Sequence, residues 1–412
     1  MGEAQHEHIY NWNRIKKVAP LSRKGFELLD ETLRDGIQSP SVTDPTIEQK
    51  CELIHLMEEL GISAVDIGLP GAGDRARADV LALAAEIGSA KMKLKPTCAA
   101  RTVVADIEPI VDVVQQTGVP IEVYAFIGSS PIRLFAEGWT VDTLIQHIES
   151  AVKFAVKEGL EICLVTEDTT RSRPDVLDPL FRRAISLGVR RLCLCDTVGH
   201  ATPDGIKNLF DWTSDMLRGV GEEVKLGWHG HNDRGLAVTN SLHAIEYGAD
   251  RVHGTGLGVG ERVGNAALDQ IIVNLKLLDE YEHDVSKLLF YCQAVARACH
   301  VEIPYCYPVA GRDAFRTGTG VHAAAIIKAK KKGDAFMADR VYSGVPAGMF
   351  GRQQEIEIGH MSGQSNVVYW LESRRLPTDE KLVKAIFDTA KAMSRLLSED
   401  EVMAVVREHQ AL

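Results

Sequence analysis

The apolar positions of this chain change period in a regular way along its length. From residue 26 onward, short apolar runs of the kind that make buried strands alternate with longer stretches whose apolar residues recur every three or four positions. The first run is 26–30. Residues 46–60 follow, with Ile47, Cys51, Ile54, Leu56 and Met57 making one apolar stripe of a helix. A strand-like run at 64–68 and a helical stretch at 75–87 come next. Further runs lie at 94–98, 121–127, 161–165, 191–195, 225–228 and 251–253. Helical stretches near 103–117, 140–158, 175–187, 203–219 and 235–247 separate them, and one at 265–278 closes the series.

Strands that alternate with helices must pair in parallel, because each crossover consumes a helix. Eight such units in about 250 residues predict an α/β fold of the (β/α)8 barrel type. An open, doubly wound sheet is the alternative; the even spacing favours closure. Beyond residue 280 the rhythm changes. The pattern predicts a helix over 286–301, a linker at 304–308, a basic helix ending in Lys328-Ala329-Lys330-Lys331-Lys332, and closing helices at 381–397 and 399–407. The expected organisation is a polar leader (1–24), a catalytic barrel (25–280) and a small, mostly helical appendage (281–412) serving as lid or dimer contact.

A barrel carries its chemistry at the C-terminal ends of its strands. The polar residues that break the apolar runs fall there: Asp30-Glu31-Thr32 with Arg34-Asp35, Glu167-Asp168, Asp196-Thr197, and His229 with His231. Two histidines at i, i+2 on a strand face the same way. Alone, that pair reads as a metal site or as hydrogen-bonded core histidines. With a strand-end Asp far upstream and acidic and basic groups converging on one mouth, it reads as a divalent-metal site that holds substrate.

Composition narrows the class. Apolar residues make up 45% and charged residues 25%, as in globular enzymes. A net charge of −11 argues against nucleic-acid binding. No apolar run is long enough for a membrane span, and the N-terminus lacks a secretion signal. Met1-Gly2 is followed at position 6 by His, where myristoylation wants Ser or Thr. The eight cysteines include no CxxC pair and read as reduced thiols of a cytoplasmic protein.

Three segments carry a family resemblance. Leu29-Asp30-Glu31-Thr32-Leu33-Arg34-Asp35-Gly36-Ile37-Gln38 resembles the first signature of the barrel metallolyases and acyltransferases. That group includes 2-isopropylmalate, homocitrate and citramalate synthases and, more distantly, hydroxymethylglutaryl-CoA lyase. Leu226-Gly227-Trp228-His229-Gly230-His231-Asn232-Asp233-Arg234-Gly235 is similar to its second signature, and Gly258-Val259-Gly260-Glu261-Arg262-Val263-Gly264-Asn265 to its glycine-rich segment. The resemblance implies a divalent ion (Zn²⁺, Mn²⁺ or Mg²⁺) on Asp35, His229, His231 and Asn265. It also implies condensation of acetyl-CoA with a 2-oxo acid, giving a 2-alkylmalate and free CoA. Arg34 would meet the keto oxygen, and Glu167 would be the catalytic acid. Gln38, Tyr124 and Thr197 would contact the oxo-acid, with Thr197 on its carboxylate. Gly318-Thr319-Gly320-Val321-His322 resembles the segment that carries a catalytic His, and Tyr342 falls where the synthases place a Tyr. For His322 the bland reading is a solvated residue at a helix start; the resemblance favours catalysis. The basic run 328–332 reads as a solvated helix end rather than a CoA-phosphate contact. A homodimer is implied.

Departures matter too. Ile37 stands where synthases usually have Glu and is closer to the lyase pattern, yet lyases lack the appendage with its His and Tyr. Tyr124, Val165 and Cys163 replace a usual His, Ser and, in homocitrate synthases, Arg. Without that Arg a second substrate carboxylate would be buried unpaired, which is costly. The expected substrate is therefore a monocarboxylic 2-oxo acid such as 2-oxoisovalerate. A carbon–carbon lyase and a non-catalytic regulator are the rival readings. No leucine-binding regulatory domain is expected.

Overall fold

The structure, a computed structural model, describes residues 8–14, 21 and 25–411; the expected leader over 1–24 lies largely outside them. The chain forms two compact units, 1–284 with 290–302 and 285–289 with 303–412.

In the first unit eight parallel strands close a barrel in chain order. They are β1 (Glu27–Asp30), β2 (Ala64–Asp66), β3 (Lys95–Arg101), β4 (Glu122–Gly128), β5 (Ile162–Glu167), β6 (Arg191–Asp196), β7 (Lys225–Gly230) and β8 (Arg251–Gly254). β8 returns to β1 in a register that sets Arg251 beside Glu27 and Gly254 beside Asp30. The predicted barrel and its eight strand–helix units are thus the observed fold. The strands are short, and helices cover them. The first helix, Ile47–Leu60, starts at a capping box: Thr46 Oγ1 accepts from Gln49 N, and the Gln49 side chain accepts from Thr46 N. Such a cap contributes about 1 kcal/mol. The helix ends at Gly61, whose φ of +78° suits glycine. A further helix, Pro131–Glu137, follows β4. At seven residues it is too short to show a periodicity of its own.

Alternation along each strand fills the interior in layers. At the strand starts, Arg251 donates to Glu27 Oε2 (2.6 Å), Glu122 Oε2 (2.6 Å) and Tyr124 Oη (2.7 Å). Arg191 donates to Glu122 Oε1 at 2.9 Å. Burial alone would raise the Glu27 carboxyl, but Arg251 and Lys95 outweigh it and hold it at about 2. Above this charged layer sit Leu29, Ala64, Tyr124, Cys163 and Cys193. The interior therefore has a closed lower end, and its polar groups converge at the other.

The barrel unit reaches further along the chain than the period change at 280 suggests. Most of the helix Leu288–Cys299 belongs to it. Tyr291 on this helix is fully buried and donates its hydroxyl to Asp30. A helix whose partner lies some 260 positions back gives no local sign of where it packs. In the second unit, Ile358, Val367, Trp370, Leu371, Leu382, Ile386, Leu397 and Val402 form one core. Its helices include Gly320–Lys331, Gln364–Ser373, Glu380–Lys391 and Glu399–Gln410. The unit also holds a short parallel pair, Arg316–Thr317 with Glu355–Ile356. Among the described residues no helix is long and apolar enough to cross a membrane.

Candidate metal centre

The C-terminal ends of the strands enclose a cavity of about 290 Å³. Eight of the residues singled out from the sequence border it: Arg34, Asp35, Gln38, Tyr124, Glu167, Thr197, His229 and His231. They come from five strands or the turns just beyond them, which is why they are scattered over 200 positions of sequence.

His229 lies on β7, and His231 follows its last residue on the same face. Both direct Nε2 at Asp35 Oδ2, from 3.9 Å and 3.5 Å. Ligand atoms of the three side chains lie within 4.8 Å of one another, all three residues buried. Asn265 completes the group from behind, donating Nδ2 to Asp35 Oδ2 at 2.6 Å. Its loop is drawn in by backbone bonds, Asn232 N to Gly264 O (2.9 Å) and Asn265 N to Gly258 O (3.0 Å). This closeness demands glycine at 264, where a Cβ would sit 1.9 Å from Gly258 O and φ is +90°.

The donors suit a divalent cation. Asn265 Oδ1 is buried without a hydrogen-bond partner, an expensive state for a polar atom that no ligand or water satisfies. Burial first, and then the neighbouring His229, push the His231 imidazole down to about 4, so it presents a neutral ring with a lone pair. Burial raises the Asp35 carboxyl, but Arg34 and His229 outweigh it and keep it ionised. Two imidazoles, a carboxylate and an amide are borderline-to-hard donors, compatible with Zn²⁺, Mn²⁺ or Mg²⁺.

Behind this centre stands Glu31, whose role was not apparent from its place in the first signature. Its Oε2 accepts from His229 Nδ1 (2.7 Å) and its Oε1 from His253 Nδ1 (3.0 Å). A carboxylate on the far nitrogen fixes the ring's tautomer and direction, as at many metal-ligating histidines. Burial opposes the Glu31 charge, yet His229 and His253 hold its carboxyl well below the usual range. Conversely, burial lowers the His229 imidazole and Glu31 more than restores it.

Arg34 is clamped by three carboxylates: Nε to Asp66 (2.8 Å), Nη1 to Asp35 (2.6 Å) and Nη2 to Glu31 (3.2 Å). Asp66 ends β2, fully buried, and burial lifts its carboxyl to about 6. In the sequence it stands inside the strand-like run 64–68, with nothing to mark it as part of a site. Glu167 faces the cavity beside Arg133, at 3.1 Å. Burial raises its carboxyl against the pull of Arg133, and Asp168 and Glu137 add to the rise. Thr197 Oγ1 accepts from Asp168 N at 2.8 Å, which leaves its own proton available to a ligand. Tyr124 offers its ring to the cavity, since its hydroxyl is engaged by Arg251. His322 and Tyr342 belong to the second unit, where their rings stack at 4.1 Å.

The sequence profile of the HMGL-like family matches residues 25–292, well over half of the chain. The chain belongs to the HMGL-like family. This HMGL-like enzyme is 30% identical to a homocitrate synthase of Methanopyrus kandleri over 88% of its length and 86% of the relative's. It is also 30% identical to a 2-isopropylmalate synthase of Sulfolobus acidocaldarius, over 92% and 95% of the two chains. An (R)-citramalate synthase of Methanocaldococcus jannaschii is 28% identical over 92% and 74%. Among solved structures, an HMG-CoA lyase from Acinetobacter baumannii, in complex with coenzyme A and 3-methylmalate, superposes with a TM-score of 0.54 at 19% identity, over 68% and 93%. That likeness supports the barrel of the HMGL-like chain. The eight cysteines, none in a CxxC pair, are all free thiols, six of them buried.

Proposed function

We propose that the protein is an acyltransferase that condenses acetyl-CoA with a monocarboxylic 2-oxo acid of apolar side chain, as a 2-isopropylmalate synthase does. One observation carries the substrate reading. Ala99, Tyr124, Phe126 and Val165 border the cavity, and the two guanidinium groups that also border it are already held by carboxylates, Arg34 by Asp66, Asp35 and Glu31, and Arg262 by Asp233. The nearest guanidinium beyond Tyr124 is that of Arg251, already taken by Glu27 and Glu122. A second substrate carboxylate would be buried there without a cation. The relatives named for 2-isopropylmalate, homocitrate and citramalate support the reaction class.

In this reading Asp35, His229, His231 and Asn265 hold a divalent ion, which supplies Lewis acidity at the substrate's oxygens. Arg34 faces the position where the keto oxygen gains negative charge, and its three carboxylate partners fix its direction beforehand. Thr197 donates to the acid's carboxylate, and Gln38 borders the same space. Glu167, held by burial nearer to neutrality than an exposed carboxylate, gives up the proton that the new alcohol needs. His322 and Tyr342 serve proton transfer at the acetyl group; the support for them is the resemblance of their segments and their stacked rings. A homodimer is the proposed assembly.

The test is thiol release from acetyl-CoA across a panel of 2-oxo acids with added Zn²⁺, Mn²⁺ or Mg²⁺. Branched or otherwise apolar acids should exceed 2-oxoglutarate in kcat/KM by at least tenfold. Preference for the dicarboxylic acid would refute the substrate reading. Ile37 favours a second reading, a carbon–carbon lyase. Cleavage of a 3-hydroxyacyl-CoA with no condensation of any acid would establish that instead.

A further inference from the structure

The turn that carries Thr197 is fastened from two sides by residues with an unfavourable backbone. Asp168, at a φ of +61°, donates its backbone N–H to Thr197 Oγ1 at 2.8 Å. Arg262, at a φ of +58°, donates Nη2 to the Thr197 carbonyl at 2.6 Å. A residue with a Cβ seldom occupies this left-handed region, and where it does its surroundings must hold it there. Arg262 is held by Asp233, with Nε to Oδ1 at 2.9 Å and Nη2 to Oδ2 at 3.0 Å. Such a parallel pair of bonds fixes a guanidinium in direction as well as place. One side chain therefore ties together the turn after β6, the segment just beyond His231 and the glycine-rich loop after β8. It does so at the cavity, which Thr197 and Arg262 both border.

The metal ligand on the glycine-rich loop has supports of its own. Ala266 N donates to Gly230 O (2.9 Å) and Thr255 Oγ1 to Val259 O (2.6 Å), beside the backbone bonds of Asn232 and Asn265. Thr197 instead depends on the Arg262 side chain for its carbonyl. We infer that Arg262 is a positioning residue for the carboxylate of the 2-oxo acid. It acts through Thr197, whose hydroxyl proton it keeps aimed at that group, while Asp233 neutralises its own charge. The inference rests on the proposed function, which gives Thr197 this ligand. The carboxylate keeps its charge throughout the condensation, so a donor to it strengthens ground state and transition state alike. Losing such a donor raises KM and leaves kcat nearly unchanged.

The experiment compares Arg262→Ala and Arg262→Lys with the wild type, all loaded with Mn²⁺. In Arg262→Ala the KM for 2-oxoisovalerate should rise about tenfold or more, with kcat, the KM for acetyl-CoA and Mn²⁺ affinity held within about threefold. Lysine reaches one acceptor but cannot bridge both, so Arg262→Lys should recover only part of the loss. Added ethylguanidinium should lower the raised KM of Arg262→Ala and leave the wild type unaffected. Asp233→Asn placed in Arg262→Ala should raise KM no further, because the pair acts as one unit. An unchanged KM overturns the inference. So does a loss shared equally by kcat, both KM values and metal affinity and untouched by ethylguanidinium, which is the pattern of a purely structural role. Amide exchange over 197–201 gives a reading that needs no turnover, and it should quicken in Arg262→Ala while β5 stays protected. A wild type that condenses no 2-oxo acid sinks the proposed function; one that does, beside an Arg262→Ala protein with unchanged KM and exchange, sinks only the role of Arg262.

Discussion

Replacing Glu31 with Gln separates the direction of a ligand from its presence. The carboxylate accepts from three donors: His229 Nδ1 at 2.7 Å, His253 Nδ1 at 3.0 Å and Arg34 Nη2 at 3.2 Å. An amide offers one oxygen, and its nitrogen only donates. One imidazole then keeps an acceptor while the other meets an N–H. If that ring is His229, its proton moves to Nε2, the nitrogen that faces Asp35. Removing the outer partner of a ligating histidine costs about 10–100-fold in metal affinity. That is about 1.4–2.8 kcal/mol at about 1.4 kcal/mol per factor of ten. Arg34 retains Asp35 and Asp66, so its position should survive. The measurement is competition for Zn²⁺ or Mn²⁺ between metal-free protein and a chromophoric chelator at pH 7, with thermal unfolding to confirm the fold. An affinity within twofold of the wild type in a folded variant would refute the view that Glu31 sets the tautomer of His229.

Gly260→Ala places a Cβ 2.1 Å from Asn265 Oδ1 at a φ of +157° and should weaken metal binding about tenfold or more, read by the same titration, while also lowering Tm. Asp66→Ala takes away the Nε partner of half-buried Arg34 and should lower stability by about 3 kcal/mol in urea unfolding; a loss under about 1 kcal/mol would mean that Asp35 and Glu31 suffice. Glu27 has a carboxyl at about 2 instead of the ordinary 4.5, so its ionised form stabilises the fold above pH 4.5, and that contribution disappears as pH falls toward 2. Glu27→Gln should therefore have a lower Tm at pH 7 and a flatter decline in Tm below pH 4.5. Parallel declines in the two proteins would count against the assignment.

The barrel was legible because its two periods are local. Each strand is a short apolar run and each helix a stripe, and eight repeats leave few ways to arrange them. The metal-type triad was legible for the same reason: strand ends face one mouth, so Asp35, His229 and His231 could be put together without knowing any distance. What stayed hidden depended on closure. Glu31 is one acidic residue in a polar turn until β1 comes beside β8 and puts it between His229 and His253. Asp66 ends a strand of three residues, too short to announce a site. Tyr124 was expected at the substrate, and its ring does border the cavity, but nothing near it in sequence points to Arg251, which holds its hydroxyl.

The charged layer at the strand starts also bears on how such a barrel can be assembled from parts. Glu27 and Glu122 come from the first and fourth strands, Arg191 and Arg251 from the sixth and eighth. A fragment ending after β4 carries both carboxylates and neither guanidinium; a fragment from β5 onward carries the reverse. Apart from Glu27, which keeps Lys95 of β3, each half would have to expose, or bury unpaired, what the other half neutralises. The charges thus work as a check on completeness. They are satisfied only once the last strand reaches the first, so the chain has no low-energy resting place as half a barrel. A gene split between β4 and β5 should yield two pieces that fold together and not apart.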